Sequence, residues 1–331
     1  MSMNSFDLHN PVSVREAITL LDAGDVHNRK VRLMAGGQDL LTEMKDRLVE
    51  PESVVNLKHI PGLDKLSFDP KAGLTIGALV KVGEVADSPI VKKHFPALAM
   101  AAETVASPQI RHVGTMGGNL CQRPRCWYYR NEHIVCLKKG GDRCYAATGE
   151  NKYNAILGGG PSYIVHPSDT ATALVALNAS VTIAGPKGER VVPLEKFFVL
   201  PRANVRHENI LKPNEIVTKI TVPVSAMAAH IVYLKFREKT SMDWAMAAAA
   251  VAVHTTNGKV TEARIVLGGV APIPWRVPKA EATLTGKAVN EATLHAVAEA
   301  ALEGALALAQ NGYKIPLTKT LVRRALQQAT A

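Results

Sequence analysis

The chain has 331 residues, of which 47% are hydrophobic and 21% charged, a composition typical of a globular protein large enough for two domains. Its longest apolar stretch, residues 244–253, is far shorter than the roughly 18 residues that a membrane span requires. The formal charge of +10 comes from scattered basic residues, which disfavours nucleic-acid binding; a basic surface would equally suit an acidic partner subunit. The first ten residues do not have the pattern of a secretory signal, so we expect a cytoplasmic protein that is exported only if a partner carries it.

The N-terminal region predicts a strand and a helix joined by a glycine turn. A first helix is expected over residues 13–23, with Ser13 as its N-cap and Gly24 after its end. A strand over 31–35 then leads into Gly36-Gly37-Gln38-Asp39 and a helix over 40–45. This order presents backbone N–H groups to an anion, although most glycine pairs after a strand are ordinary turns.

A second glycine-rich segment, Gly114-Thr-Met-Gly-Gly-Asn119, is predicted to be a loop. Between the two glycine segments we expect strands over 53–57 and 74–76 and helices over 81–87 and 96–105. Two such loops in one domain favour a dinucleotide with two phosphates. Neither has the G-x-G-x-x-G pattern or the P-loop lysine, which disfavours a Rossmann nicotinamide site and a kinase-like ATP site.

All the cysteines of the chain lie in one insert over about residues 121–153, with the spacing C-x4-C-x9-C-x7-C. The insert has no helical or strand periodicity, so we expect an internal staple to order it. The spacing is not the paired-knuckle pattern of structural zinc sites, and thiolates among basic residues favour a [4Fe–4S] cluster, with zinc or disulfides as alternatives. Five basic residues are expected to offset the charge of the cluster: Arg123, Arg125, Lys138, Lys139 and Arg143.

The segment His166-Pro-Ser-Asp169 is predicted to follow a strand over 162–165 and to cap a helix over 170–177. Asp169 either satisfies the N–H groups of that helix or accepts a hydroxyl from the ribose or ribitol of a nucleotide. The remaining predicted elements are a hairpin over 181–184 and 189–192, a strand over 215–222, a domain boundary over 223–229, a strand over 233–237, a hairpin over 247–254 and 259–268 around Asn257-Gly258, and helices over 291–310 and 319–328.

Four motifs together resemble the FAD-binding medium subunit of the molybdenum hydroxylases. They are Leu33-Met-Ala-Gly-Gly-Gln-Asp-Leu40, Gly114-Thr-Met-Gly-Gly-Asn119, Pro167-Ser-Asp169 and Val266-Leu-Gly-Gly-Val-Ala-Pro272. The family includes the flavin subunits of carbon monoxide dehydrogenase and of bacterial aldehyde oxidoreductases, and the flavin domain of xanthine dehydrogenase. The insert between the second and third motifs resembles the subset with a [4Fe–4S] cluster, namely certain aldehyde oxidoreductases and the 4-hydroxybenzoyl-CoA reductases.

The resemblance covers essentially the whole chain and implies an α+β fold. Residues 1–224 would form a PCMH-type FAD-binding domain, whose two subdomains hold FAD between them and which carries the cysteine-rich insert. Residues 229–331 would form a C-terminal α+β domain with a small antiparallel sheet and helices.

The resemblance also implies which residues touch the cofactors, and no residue is expected to act on the organic substrate. The pyrophosphate would lie against the two glycine segments, Asp169 would accept a hydroxyl hydrogen bond, and the cysteines would bind the cluster. The implied FAD contacts are Leu33, Met34, Ala35, Gly36, Gly37, Gln38, Asp39, Leu40, Val105, Thr115, Met116, Gly117, Gly118, Asn119, Asp169, Val217 and Lys235, and the cluster ligands are Cys121, Cys126, Cys136 and Cys144.

The implied function is that of an FAD-binding electron-transfer subunit in a heterotrimer, most simply an aldehyde oxidoreductase. It would pass electrons between a [2Fe–2S] subunit, a molybdopterin-binding large subunit and an external acceptor. An aryl-CoA reductase with the reverse electron flow is the alternative within the family. A zinc-stapled basic binding module is a remote alternative, because it leaves the glycine segments and Asp169 without a role.

Overall fold

Three sheets organise the chain, and each is built from strands of one part of the sequence. The computed structural model describes residues 3–21 and 30–331. The strands are β1 (Asp7–His9), β2 (Val31–Met34), β3 (Ser53–Asn56), β4 (Leu66–Asp69), β5 (Gly73–Gly77), β6 (Ser180–Gly185), β7 (Gly188–Pro193), β8 (Ile216–Pro223), β9 (His230–Phe236), β10 (Ala247–Thr256), β11 (Lys259–Gly268) and β12 (Trp275–Arg276). The helices are α1 (Val14–Leu20), α2 (Leu40–Lys45), α3 (Val82–Asp87), α4 (Pro89–His94), α5 (Pro96–Glu103), α6 (Pro108–Val113), α7 (Met116–Cys121), α8 (Trp127–Arg130), α9 (Asp169–Ala176), α10 (Pro278–Leu284), α11 (Glu291–Ala301) and α12 (Lys314–Thr330).

The first sheet is small and parallel, with the strand order β1-β3-β2. Helix α1 covers it, and Ser13 is its N-cap as predicted, because the Ser13 Oγ accepts a hydrogen bond from the Glu16 N–H at 3.1 Å. The helix ends at Leu20 rather than at residue 23, since Leu21 is already extended. Gly24, the predicted stop, lies outside the described residues.

The second sheet is antiparallel, with the order β4-β5-β8-β6-β7, and it carries the largest core of the described chain. Its buried face packs against helices α3, α5 and α9. All eight residues of α9 are buried, which explains why they are small or apolar apart from Asp169 and the threonines. The predicted hairpin β6–β7 and the strand β8 are confirmed.

The second glycine segment forms helix α7 and not the predicted loop. Thr115 caps this helix, since its Oγ accepts a hydrogen bond from the Gly118 N–H at 3.2 Å. Two further predictions are wrong: residues 162–165 form no strand, and α11 ends at Ala301 instead of 310. Leu302 leaves the helical conformation there, and Gly304 adopts a left-handed one, with φ of 74°.

The third sheet is antiparallel, with the order β12-β11-β10-β9, and it is covered by α10, α11 and α12. The predicted β10–β11 hairpin is confirmed, and both residues of its turn, Asn257 and Gly258, have positive φ angles of 51° and 72°. The expected α+β architecture, with a C-terminal domain built on a small antiparallel sheet and helices, is therefore confirmed. None of the helices in the described residues has the length and apolar character needed to cross a membrane.

The cysteine-rich insert contains a helical turn, α8, and two 3-10 turns over Leu137–Lys139 and Tyr145–Ala147. These short turns are too brief to produce a helical periodicity in the sequence. The order of the insert comes from contacts with the rest of the chain, because Tyr129 and Lys138 are almost completely buried. The Tyr129 hydroxyl donates to the Glu43 carboxylate of α2 at 2.8 Å. The insert thus packs directly against the first glycine segment and the helix that follows it.

Candidate functional site

A cleft with a volume of about 290 Å³ lies where the turn after β2 meets the start of α7. Most of the residues predicted to touch FAD line it: Leu33, Ala35, Gly36, Gly37, Gln38, Asp39, Leu40, Val105, Thr115, Gly117, Gly118, Asn119 and Val217. Met116 is fully buried and Met34 packs in an apolar cluster beside α2, so neither belongs to the cleft wall. Asp169 and Lys235 lie elsewhere, as described below.

Two glycines allow the walls of this cleft to approach closely. A Cβ atom on Gly36 would lie 2.2 Å from the Val113 carbonyl oxygen, which no side chain can accommodate without a backbone shift. A Cβ on Gly117 would lie 2.9 Å from the Ala78 carbonyl oxygen. The first glycine segment therefore rests on the end of α6, and α7 rests on the end of β5, because these positions lack side chains.

The first glycine segment supplies the backbone donors of the cleft. Gly37 has a positive φ of 77°, and within the described chain the N–H groups of Gly37, Gln38 and Asp39 donate no hydrogen bond. Successive N–H groups in such a turn form an anion-binding concavity. By contrast, the N–H groups of Met116 and Gly117 already donate to the carbonyls of Val80 and Ala78, each at 2.9 Å. The two segments are therefore not equivalent, although the sequence predicted the same role for both.

Asp39 joins the cleft to the cysteine-rich insert. Its Oδ1 lies 3.0 Å from the Arg125 guanidinium and 2.7 Å from that of Arg130, and its Oδ2 accepts the Arg123 N–H at 2.6 Å. Asp39 occupies the N-cap position of α2, yet its side chain makes no capping hydrogen bond. The carboxylate is thus committed to the insert and not to its own helix.

Glu208 makes the second link between the cleft and the insert. Its carboxylate lies 2.9 Å from the Arg123 Nε and 2.5 Å from the Lys138 Nζ, and all three side chains are buried. Burial opposes the charge on Arg123, but nearby Glu208 favours it, and the net effect raises the Arg123 pKa above its usual range. The sequence analysis did not identify Glu208, because no motif near it signals a site.

Asp169 forms a buried network instead of lining the cleft. Its two carboxylate oxygens accept hydrogen bonds from the Tyr233 hydroxyl at 2.6 Å and from the Lys235 Nζ at 2.8 Å. Lys235 also donates to the Thr104 carbonyl at 3.0 Å, next to the cleft residue Val105. Ser168 caps α9, because its Oγ accepts a hydrogen bond from the Ala171 N–H. Of the two alternatives for Asp169, the one in which it caps this helix is therefore wrong.

A second cavity, of about 270 Å³, lies between the insert and the C-terminal domain. Arg125 and Trp244 line both cavities, and the Arg125 guanidinium lies 4.7 Å from the centre of the Trp244 ring. Asp169 and His166 line the second cavity, and burial lowers the pKa of His166 to about 4, so that its ring is neutral at pH 7. The sequence analysis missed Trp244 because the tryptophan lies far along the chain from every motif.

The four cysteines are free thiols on the insert, and Cys136 is buried. Burial raises the pKa of Cys126 and lowers the pKa of Lys139. Burial raises the pKa of Cys121 to about 12. No three His, Cys, Asp or Glu side chains of the described residues converge on a site for a single metal ion.

The predicted electrostatic role of the basic residues near the cysteines needs correction. Arg123 and Lys138 pair with Glu208, and Arg125 pairs with Asp39, so their charges are balanced by carboxylates. The Arg143 guanidinium lies 4.8 Å from the centre of the Tyr145 ring. The Lys139 ammonium donates a hydrogen bond to the Asn131 carbonyl oxygen. The partner carboxylates, Asp39 and Glu208, lie outside the insert, so the composition of the insert does not reveal them.

Two family profiles together match almost the whole chain. Residues 4–225 match the FAD binding domain in molybdopterin dehydrogenase, and residues 231–329 match the CO dehydrogenase flavoprotein C-terminal domain. The chain is 32% identical to the aldehyde oxidoreductase FAD-binding subunit of Escherichia coli over 91% of its length and 92% of that protein. It is 31% identical to the carbon monoxide dehydrogenase medium chain of Hydrogenophaga pseudoflava, over 98% and 97% of the two chains.

Solved structures agree with these relatives. A structure of carbon monoxide dehydrogenase from Hydrogenophaga pseudoflava, which lacks the Mo-pyranopterin moiety, has a TM-score of 0.78 at 30% identity and covers 99% of this chain and 98% of that one. Reconstituted CO dehydrogenase from Oligotropha carboxidovorans has a TM-score of 0.77 at 26% identity, covering 100% and 99%.

Proposed function

Because the chain belongs to the FAD-binding medium subunits of the molybdenum hydroxylase family, we propose that it is the electron-transfer subunit of an aldehyde oxidoreductase. Its partners are a [2Fe–2S] subunit and a molybdopterin-binding large subunit, and an external acceptor takes the electrons. The 32% identity to the FAD-binding subunit of an aldehyde oxidoreductase supports this choice within the family.

The strongest support for this proposal is the cleft, because its backbone N–H groups that donate no hydrogen bond within the described chain suit the pyrophosphate of FAD. The N–H groups of Gly37, Gln38 and Asp39 bind the phosphate oxygens, and Gly36 keeps this turn against α6. Val105 and Val217 give the cleft an apolar side that excludes water. When bound, FAD supplies the electron-transfer chemistry, and the protein supplies its position and electrostatic surroundings.

Asp169 is proposed to accept a hydroxyl hydrogen bond from the cofactor. Both of its oxygens already accept one hydrogen bond, and each carboxylate oxygen has a second lone pair. Tyr233 and Lys235 thus fix the carboxylate in one orientation. Asp169 lines the second cavity, which meets the cleft at Arg125 and Trp244, so the cofactor would reach this carboxylate by extending from one cavity into the other.

The cysteines are proposed to bind a [4Fe–4S] cluster: Cys121, Cys126, Cys136 and Cys144. Cys121 lines the cleft, so the insert holds a thiol directly beside the proposed flavin site. A structural zinc ion needs four ligands converging at about 2.0–2.3 Å. The preference for a cluster over zinc rests on the cysteine spacing, which lacks the paired knuckles of structural zinc sites.

The test is an absorption spectrum of the purified chain before and after dithionite, with iron and zinc analysis. We expect flavin bands, a broad shoulder that dithionite bleaches, and about four irons per chain. In the assembled enzyme, addition of an aldehyde should bleach the flavin bands, whereas an aryl-CoA serves as the matched control. A colourless chain that holds zinc after reconstitution with FAD and iron would overturn the proposal.

A further inference from the structure

Carboxylates and arginines line the cleft together, so its net charge depends on how they pair; the arginines are Arg32, Arg111, Arg123 and Arg125. Four carboxylates line the cleft: Asp39, Glu43, Glu208 and Glu215. The pyrophosphate of FAD is itself anionic, so each carboxylate left without a cation would weaken its binding. The affinity of the cleft for FAD therefore depends on what neutralises these four groups.

Two of the carboxylates pair with cations outside the insert. Glu43 lies 3.2 Å from the guanidinium of Arg32, on β2, and both side chains are largely buried. Glu215 lies 2.7 Å from the guanidinium of Arg190, on β7. Both cations, Arg32 and Arg190, lie outside the cysteine-rich segment, although Glu43 also accepts a hydrogen bond from Tyr129 of that segment.

The other two carboxylates take cations from the insert. Asp39 pairs with Arg125 and Arg130, and Glu208 pairs with Arg123 and Lys138. The Lys138 and Glu208 side chains are only 1% and 4% exposed, and those of Arg130 and Asp39 are 14% and 19% exposed. Water and salt screen such charges weakly, so losing a cation would leave its carboxylate acting on the cleft.

We propose that the cysteine-rich insert is an electrostatic part of the dinucleotide site, which makes the cleft accept a pyrophosphate by neutralising Asp39 and Glu208. The inference rests on the proposed FAD function and deepens it. The insert would then have two roles: it holds the thiols, and it sets the charge of the neighbouring cleft. FAD affinity would therefore depend on an ordered insert. Arg130 and Lys138 would affect FAD binding through Asp39 and Glu208, without touching FAD themselves.

Arg130 provides the sharpest test, because it pairs with Asp39 but does not itself line the cleft. In the full chain, Arg130→Gln should weaken FAD binding by between about 5-fold and 150-fold, the usual range of coupling between two sites. Asp39→Asn should bind FAD at least as tightly as the wild type. The double variant should return to within about twofold of Asp39→Asn, since removing the carboxylate removes the repulsion.

The measurement is a titration with FAD, followed by flavin fluorescence, at low and high salt. Salt should leave most of the loss caused by Arg130→Gln in place, because the Asp39 carboxylate is only 19% exposed and is screened weakly. Arg143→Gln is the matched control: this insert arginine lies over the ring of Tyr145, and its loss should leave FAD affinity unchanged.

The outcomes separate the two proposals. A wild-type chain that fails to bind FAD overturns the proposed function, and the inference with it. A wild-type chain that binds FAD, together with an Arg130→Gln variant of equal affinity, overturns the inference alone. So does a double variant that stays as weak as Arg130→Gln, because a purely structural role for Arg130 cannot be rescued by removing the charge of Asp39.

Discussion

Replacement of Gly36 by alanine tests whether the cleft depends on the close approach of its two walls. The added Cβ would lie 2.2 Å from the Val113 carbonyl oxygen and 3.2 Å from the Gly114 Cα. Relief of this overlap requires the two segments to separate by about 1.3 Å or more, since non-bonded contacts are favourable near 3.5–4.0 Å. Overpacking of this kind typically costs about 1–3 kcal/mol of folding free energy.

The same displacement moves the N–H groups of Gly37, Gln38 and Asp39, so Gly36→Ala should also weaken FAD binding by about tenfold, equivalent to about 1.4 kcal/mol. Urea unfolding of the apo chain and an FAD titration measure the two effects separately. Gly312→Ala is the control, because its Cβ would meet only the Ala307 Cβ, at 3.7 Å. A Gly36→Ala variant with wild-type stability and wild-type FAD affinity would refute the reasoning.

Four further substitutions, at three positions, have expected outcomes. Asp169→Asn leaves the buried ammonium of Lys235 without its carboxylate and should cost about 3–5 kcal/mol of stability in urea unfolding. Asp169→Ala should lower flavin occupancy after purification, and full occupancy would contradict the proposed role of the carboxylate. Ser168→Ala removes the cap of α9 and should cost about 1 kcal/mol; an unchanged urea midpoint would show that the cap contributes nothing. Burial lowers the pKa of Lys314 to about 7. Above that pH the unfolded chain holds the proton that the folded chain has lost, so the wild type should gain about 2 kcal/mol of stability over Lys314→Met between roughly pH 7 and pH 9. A pH-independent difference would contradict this assignment.

Local chemistry explains which elements the sequence could predict. The β10–β11 hairpin was predicted because Asn257 and Gly258 suit the left-handed conformations that both adopt. Helix α7 was missed because Gly117 and Gly118 have poor helix propensity. It forms nonetheless, because Thr115 caps it and the Ala78 carbonyl accepts the Gly117 N–H from another part of the chain. A local sequence pattern cannot show such tertiary partners.

Some residues of the candidate site could likewise be predicted from local motifs, and others reach the site only through the fold. The motifs located the turn at Gly36 and Gly37, because a double glycine after a strand is visible within a few residues. They did not reveal Glu208 or Trp244, which reach the two cavities only through the fold. They also assigned similar roles to both glycine segments, whereas the N–H of Gly117 already bonds within the protein.

The pairing of charges shows most clearly why residue type alone was insufficient. The basic residues of the insert were expected to face the thiols, since composition places them together in sequence. A buried cation is stabilised by the nearest hydrogen-bonding carboxylate, and for Arg123 and Lys138 that group is Glu208, about 70 or more residues away along the chain. Each such pair removes a charge from the surroundings of the cysteines and also from the cleft. The electrostatics of the thiols and those of the flavin site therefore share the same arginines and lysine, and a change in either site alters the charge that the other experiences.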